Sequence, residues 1–217
     1  IVFAYLPMFG TIAAFQKFDV VNGYFGSEFV GLKHFEYLFY EHPNFWQALK
    51  NTIIISSLKL LFGFTLPIVL SLLINELRQI TFKKIAQTMF YVPNFVSWVV
   101  VAGIWYALLS YSGPVNNLLQ SIGLLDQPIM FMESEKLFYP IIVGTDLWKS
   151  LGYSTIFYMA AISMVPQDQY ESARIDGASR FQQAYYITFP SIATTVVLLF
   201  ILSTAGLLNA GFDQLWT

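Results

Sequence analysis

The chain has 217 residues, of which 56% are hydrophobic and only 11% charged, and its mean hydropathy is +0.59. A soluble domain carries about a quarter charged residues, so this chain has too little polar surface to coat itself in water. A net charge of −2 points to neither nucleic acid nor an anionic polymer, and the absence of cysteine excludes disulfides and thiolate metal sites.

Five apolar segments follow one another along the chain, at about 1–15, 51–77, 85–109, 137–165 and 190–209. A helix needs about 20 residues to cross the hydrocarbon core, so the second to fifth segments qualify as spans. The first is short and opens at Ile1 inside an apolar run, as the outer end of a span whose beginning lies elsewhere would. The expected fold is an all-α integral membrane bundle of about six transmembrane helices, the last beyond Thr217, in one domain over 1–217.

Loop charge sets the orientation. Arg78, Lys83 and Lys84 lie between the second and third segments, and Arg174 and Arg180 between the fourth and fifth. The other loops carry Asp19, Glu28, Glu36, Glu41, Asp126, Glu133 and Glu135. The positive-inside rule places the two basic loops in the cytoplasm. Pro67, Pro93, Gly103, Gly144 and Gly152 punctuate the spans, and proline there frees carbonyls and kinks the rod.

Charges inside spans are costly and mark function or pairing. Lys59 lies in the second span, and Asp146 and Lys149 flank Trp148 in the fourth. They could form a polar path lined by aromatic rings. Alternatively, Asp146 and Lys149 could pair three residues apart on one helix face. Lys59 could also snorkel to the interface. Trp98, Trp105, Tyr106 and Tyr153 read as interfacial or packing aromatics. His34 and His42 read as solvated loop residues, since neither has a partner at metal-ligand spacing. No nucleophile, base and acid arrangement stands out, so no catalytic residue and no metal ligand is assigned.

The loop of 166–190 is the most informative stretch. Pro166 ends a span, and a short polar helix is expected to start near Asp168, an acid suited to an N-cap. Gly177 breaks that helix, and Pro190 is placed in the first turn of the fifth span. Glu171-Ser172-Ala173, Gly177, Ile187 and Pro190 keep the spacing of the EAA loop, whose pattern is E-A-A, three residues, G, nine residues, I-x-L-P. At these residues the chain resembles the permease subunits of binding-protein-dependent ABC importers. Ser172 and Phe189 depart from the pattern without a large change of size or polarity.

Further likeness to carbohydrate and oligosaccharide permeases lies in Tyr5-Leu6-Pro7-Met8, Gly31-Leu32-Lys33-His34-Phe35, Asn51-Thr52, Asn75-Glu76 and Tyr91-Val92-Pro93. The stretch from Asn209 to Trp216 is similar to permeases for larger, often acidic, oligosaccharides. The resemblance implies half of a solute path in the bacterial cytoplasmic membrane and a coupling helix within the 168–180 loop. Glu171, Ala173, Asp176, Gly177 and Ala178 would dock on an ABC ATPase subunit. A second permease, related but different, and an external solute-binding protein would complete the assembly. Trp148, Lys149, Lys59, Asp146 and Asn209 are the candidate solute contacts for a sugar or another small molecule. The chain has no G-x-x-x-x-G-K-[ST] phosphate loop, so ATP and Mg would sit on the partner ATPase and no cofactor on this chain. The rival readings are a secondary transporter or channel, which would show inverted repeats, and a polytopic membrane enzyme.

Overall fold

The computed structural model describes residues 5–206, Gly211 and Gln214. Contacts divide the chain into two compact units, 1–51 and 52–217.

In the first unit the Leu6–Phe15 segment winds as a 3₁₀ helix and runs into a two-stranded antiparallel ribbon. Its strands, β1 (Gln16–Lys17) and β2 (Glu28–Phe29), pair Gln16 with Phe29 and Lys17 with Glu28. Asp19 shapes the turn between them, its Oδ1 accepting from the Val21 N–H at 3.0 Å. His34 is tied in by a 3.0 Å hydrogen bond between Nε2 and the Gln16 carbonyl, and half-buried His42 packs edge-on against Tyr37. His34 is exposed, as expected of a solvated side chain, whereas His42 is half-buried and departs from that expectation.

The second unit is helical. Helix α1 (Phe45–Asn75) begins in the first unit and continues as one helix through Pro67. Next come α2 (Ile80–Tyr91), a 3₁₀ turn over Val92–Phe95, and α3 (Trp98–Leu109). The segment read as one span over 85–109 is therefore two helices. Pro93 cannot donate a backbone N–H, and Ser97 starts the helix afresh by accepting from the Val100 N–H at 3.4 Å.

Beyond α3 lie α4 (Pro114–Ser121) and α5 (Glu135–Ser163). Asn116, fully buried, clips the intervening loop by bonding both polar groups of Ile129, with Nδ2 to its carbonyl and Oδ1 to its N–H, each at 2.9 Å. Then follow α6 (Gln167–Ile175), α7 (Arg180–Gln183), a π-helical turn over Ala184–Thr188 and α8 (Phe189–Ala205). Among the described residues three helical stretches are long and apolar enough to cross a membrane: Phe45–Asn75, Trp98–Ser121 and Arg180–Ala205. Helix α5 has the length but carries Asp146 and Lys149 in its middle.

Two contacts hold the bundle in register. Helix α5 packs against α2 and the 3₁₀ turn through Gly152, where a Cβ would overlap the Phe90 carbonyl and lie 2.9 Å from the Tyr91 nitrogen. A core of Ile162, Val165 and Ile192 joins the end of α5 to α8, with Leu72, Tyr170, Ile187 and Val196 packed on it.

Candidate functional site

The 166–190 segment folds as a helical hairpin. Helix α6 starts at Gln167, so Asp168 sits in its first turn and not at the cap; its Oδ1 accepts from the Gln169 N–H at 3.1 Å. The cap position belongs to Pro166, whose fixed φ suits a helix entry. The far end closes in a Schellman arrangement. The Ala178 N–H reaches the Ala173 carbonyl at 2.8 Å, and the Gly177 N–H reaches that of Arg174 at 3.1 Å. Gly177 adopts φ +77°, a left-handed conformation that glycine enters without cost, so this residue is where the helix must stop. Space around its missing Cβ is open.

Helix α7 opens with a reciprocal capping box. Ser179 Oγ accepts from the Gln182 N–H at 3.3 Å, and Gln182 Oε1 accepts from the Ser179 N–H at 2.7 Å. Ser179→Ala is expected to lower stability by ~1 kcal/mol, read as a small drop in the thermal midpoint of the purified protein, while Ser179→Asn is nearly neutral. Pro190 sits in the first turn of α8, as expected, but the helical run does not begin there: it starts at Arg180 and extends to Ala205. The π turn over Ala184–Thr188 directly precedes α8 and its Pro190, with the Phe189 N–H donating to the Ala184 carbonyl five residues back.

Two hydrogen bonds brace the hairpin internally, and Arg180 ties it to the residue that follows α1. Tyr170 Oη and buried Thr188 Oγ1 lie 2.9 Å apart, and Gln183 Nε2 donates to the Ala178 carbonyl at 2.8 Å. Arg180 Nη1 reaches both the Glu76 carbonyl, at 3.1 Å, and its Oε2, at 3.3 Å. Of the residues named for docking, Glu171, Asp176 and Gly177 are exposed, while Ala173 and Ala178 are half-buried. Ile175, an apolar contact point expected from the sequence, is 87% exposed, and Phe181, which the sequence reading did not single out, is 80% exposed. Large apolar side chains on an otherwise polar hairpin were the available signal.

The intramembrane charges are arranged differently from either sequence expectation. Asp146 does not pair with Lys149, and Lys59 does not snorkel. Lys59 Nζ lies 3.3 Å from Asp146 Oδ1, joining α1 to α5, and also donates to Gln214 Oε1. Gln214 Nε2 completes the network by donating to the Ile142 carbonyl at 2.7 Å and Thr145 Oγ1 at 2.8 Å. Lys149 reaches across to the broken segment, where Nζ donates to the carbonyls of Asn94, at 2.9 Å, and Val96. It also lies 5.4 Å from the centre of the Trp98 ring. Its ammonium thus satisfies carbonyls in and just after the 3₁₀ turn at Pro93, a requirement of backbone in an apolar setting.

Next to this network is a cavity of about 540 Å³ walled by Trp98, Trp105, Tyr106, Phe138, Thr145 and Gln214. Three aromatics read as interfacial therefore line a chamber, with Gln214 as a polar group at its wall. Trp148 is not on this wall; its ring packs edge-on against Trp105 at 6.0 Å. Tyr153 packs edge-on against Phe157. Asn209 lies outside the described residues. Among the described residues no group of histidine and acidic side chains is placed to hold a metal ion.

Comparison with known proteins agrees with this architecture. Residues 63–212 match the family described as the binding-protein-dependent transport system inner membrane component. The polygalacturonan/rhamnogalacturonan transport system permease protein YteP of Bacillus subtilis (strain 168) is 42% identical over 217 residues, covering 100% of this chain and 67% of that protein. Protein LplB of the same organism is 40% identical with the same coverage. Among solved structures, a bacterial ABC transporter involved in the import of the acidic polysaccharide alginate superimposes with a TM-score of 0.87 at 39% identity, over 98% of this chain and 70% of that one. With the family matched over most of its length and close relatives along all of it, this chain belongs to the inner membrane components of binding-protein-dependent transport systems.

Proposed function

We propose that the chain forms half of the translocation path of an ATP-driven importer for an oligosaccharide, an acidic one by analogy with its relatives. The observation that carries this is the 42% identity, along the whole chain, to a permease named for polygalacturonan and rhamnogalacturonan. The similar alginate transporter has also been crystallised with a periplasmic protein bound to an alginate pentasaccharide. By the same analogy an external binding protein delivers the solute, a second permease subunit supplies the other half of the path, and a separate ATPase subunit supplies the energy.

In this reading the chain is a multi-pass protein of the bacterial cytoplasmic membrane, a single permease domain with its spans close to Phe45–Asn75, Trp98–Ser121, Glu135–Ser163 and Arg180–Ala205. The 166–190 hairpin faces the cytoplasm, as its Arg174 and Arg180 suggest. The exposed Glu171, Asp176 and Gly177, with half-buried Ala173 and Ala178 beside them, form the surface that meets the ATPase. Arg180's bond to Glu76 and the packing of Tyr170 on the Ile162, Val165 and Ile192 core anchor the hairpin, while Glu171, Asp176 and Gly177 stay exposed. The aromatic-walled cavity is the candidate for solute, since sugar faces stack on indole and phenol rings and Gln214 offers a hydrogen-bonding amide. Lys149 and Asp146 leave the list of direct contacts and serve instead to hold the wall in shape. ATP and Mg bind the partner ATPase and not this chain.

The test is Gly177→Asp. It places a side chain and a carboxylate on the exposed corner of the hairpin, at a left-handed position where aspartate is among the better-tolerated residues. The expected result is loss of ATP-driven uptake with the importer still assembled in the membrane and the binding protein still holding solute. Normal ATP-coupled uptake by the variant would remove this corner from the docking surface.

A further inference from the structure

A cavity of about 660 Å³ lies between the hairpin and the end of α1, with half-buried Ala178 on its wall and Gly177, Glu171 and Asp176 off it. Three guanidinium groups from three different elements line it: Arg78 after α1, Arg174 on α6 and Arg180 on α7. Gln167 and Gln183 add amides. Glu76 is the one acid on the wall, and it is already paired with Arg180 at 3.3 Å. Arg78 and Arg174 form no ion pair among the described residues, so the chamber keeps an excess of positive charge. The hairpin's own acids, Asp168, Glu171 and Asp176, are not on its wall.

From this arrangement we infer that the cavity binds the phosphate of an anionic lipid headgroup. The inference rests on the cytoplasmic placement of the hairpin proposed above. Guanidinium forks match the oxygens of a phosphate in pairs, and basic pockets at the cytoplasmic ends of spans are suited to anionic headgroups. The chain next to the cavity favours a lipid over a free anion. Ile80 and Phe181 follow Arg78 and Arg180 closely in sequence and are 72% and 80% exposed, offering apolar surface for acyl chains beside the charge. A bound headgroup would bridge Arg78 on the span to Arg174 on the hairpin, adding a non-covalent brace to the Arg180–Glu76 contact. The lipid would then tune how stiffly the hairpin is held.

The purified importer complex, reconstituted in vesicles of phosphatidylcholine with or without phosphatidylglycerol, tests this, with lipid retention also measured by native mass spectrometry. Wild type is expected to retain phosphatidylglycerol and to take up solute faster in its presence. Arg78→Gln should keep the rate seen in phosphatidylcholine alone and lose the stimulation. Its lipid retention should fall about fivefold, the equivalent of the ~1 kcal/mol that one basic residue contributes near an anionic leaflet. Arg174→Gln should lower retention similarly. Stimulation of Arg78→Gln equal to wild type, or no retained phosphatidylglycerol on wild type, would overturn the inference. Equal stimulation by inorganic phosphate in phosphatidylcholine vesicles would also overturn it, by assigning the cavity to a free anion. Retention is read without transport, so a complex that fails to move solute contradicts the importer reading and still decides the lipid question.

Discussion

Gly152→Ala is expected to destabilise the subunit by ~3 kcal/mol or more, although it adds a single methyl group. That methyl would overlap the carbonyl of Phe90 and press on the Tyr91 nitrogen, which are backbone atoms unable to rotate away. Helix α5 and the end of α2 would have to separate, loosening the junction at which the chain turns into the 3₁₀ segment around Pro93. The readout is a large fall in the thermal midpoint of the purified protein and in its abundance in the membrane. Gly144→Ala is the matched control. It lies in the same helix with nothing within 4 Å of the added Cβ, so its better helix propensity should leave stability unchanged or improved by up to ~1 kcal/mol. If Gly152→Ala behaved like Gly144→Ala, the close approach of the two backbones would be refuted.

Lys59→Met is expected to have the other large effect. Lys59 and Asp146 are 14% and 23% exposed at their side chains, and their 3.3 Å contact ties α1 to α5. Removing the lysine leaves the carboxylate without its cation in a mostly apolar setting and takes the donor from Gln214 Oε1. Breaking a buried pair from one side costs ~3–5 kcal/mol, whereas replacing both members with apolar residues is close to neutral. The double variant Lys59→Met with Asp146→Leu should therefore recover most of the stability lost by the single one, and a double-mutant cycle measured by unfolding would show strong coupling. Additive effects would mean that the two charges are stabilised separately.

Composition, hydropathy and loop charge were enough to read a helical membrane protein, because few folds tolerate so little polar surface. The 166–190 hairpin was also legible, since Pro166, Gly177 and Pro190 are residues whose backbone limits act locally. Their roles were harder to place. Pro190 marks the first turn of α8 as its sequence suggests, but a π turn joins α8 to a helix that begins ten residues earlier, at Arg180. Charge pairing was misread for a different reason. Sequence shows Asp146 and Lys149 three residues apart, whereas their partners come from α1 and the Pro93 break, which only tertiary packing brings near. The break itself had a signal in Ser97, a good N-cap directly ahead of an apolar run. Gly152 had none, because a glycine demanded by a neighbouring backbone looks like any other until that neighbour is in place.

The π turn also sets the angular phase of the helix that contains it. An α-helix advances ~100° per residue, and a π turn acts as one residue too many, rotating all that follows by about that angle. Buried Gln183 and Thr188 are five positions apart across the turn, as are Ile187 and Ile192, both of which touch one core. Ile192 and Val196, past the turn, return to the usual spacing of four. The run from Arg180 to Ala205 is therefore two helices of different phase fused into one rod. Tightening the turn to α-helical geometry would twist α8 relative to α7 by a quarter-turn or so, and would swing Ile192 off the core without bending the rod at all.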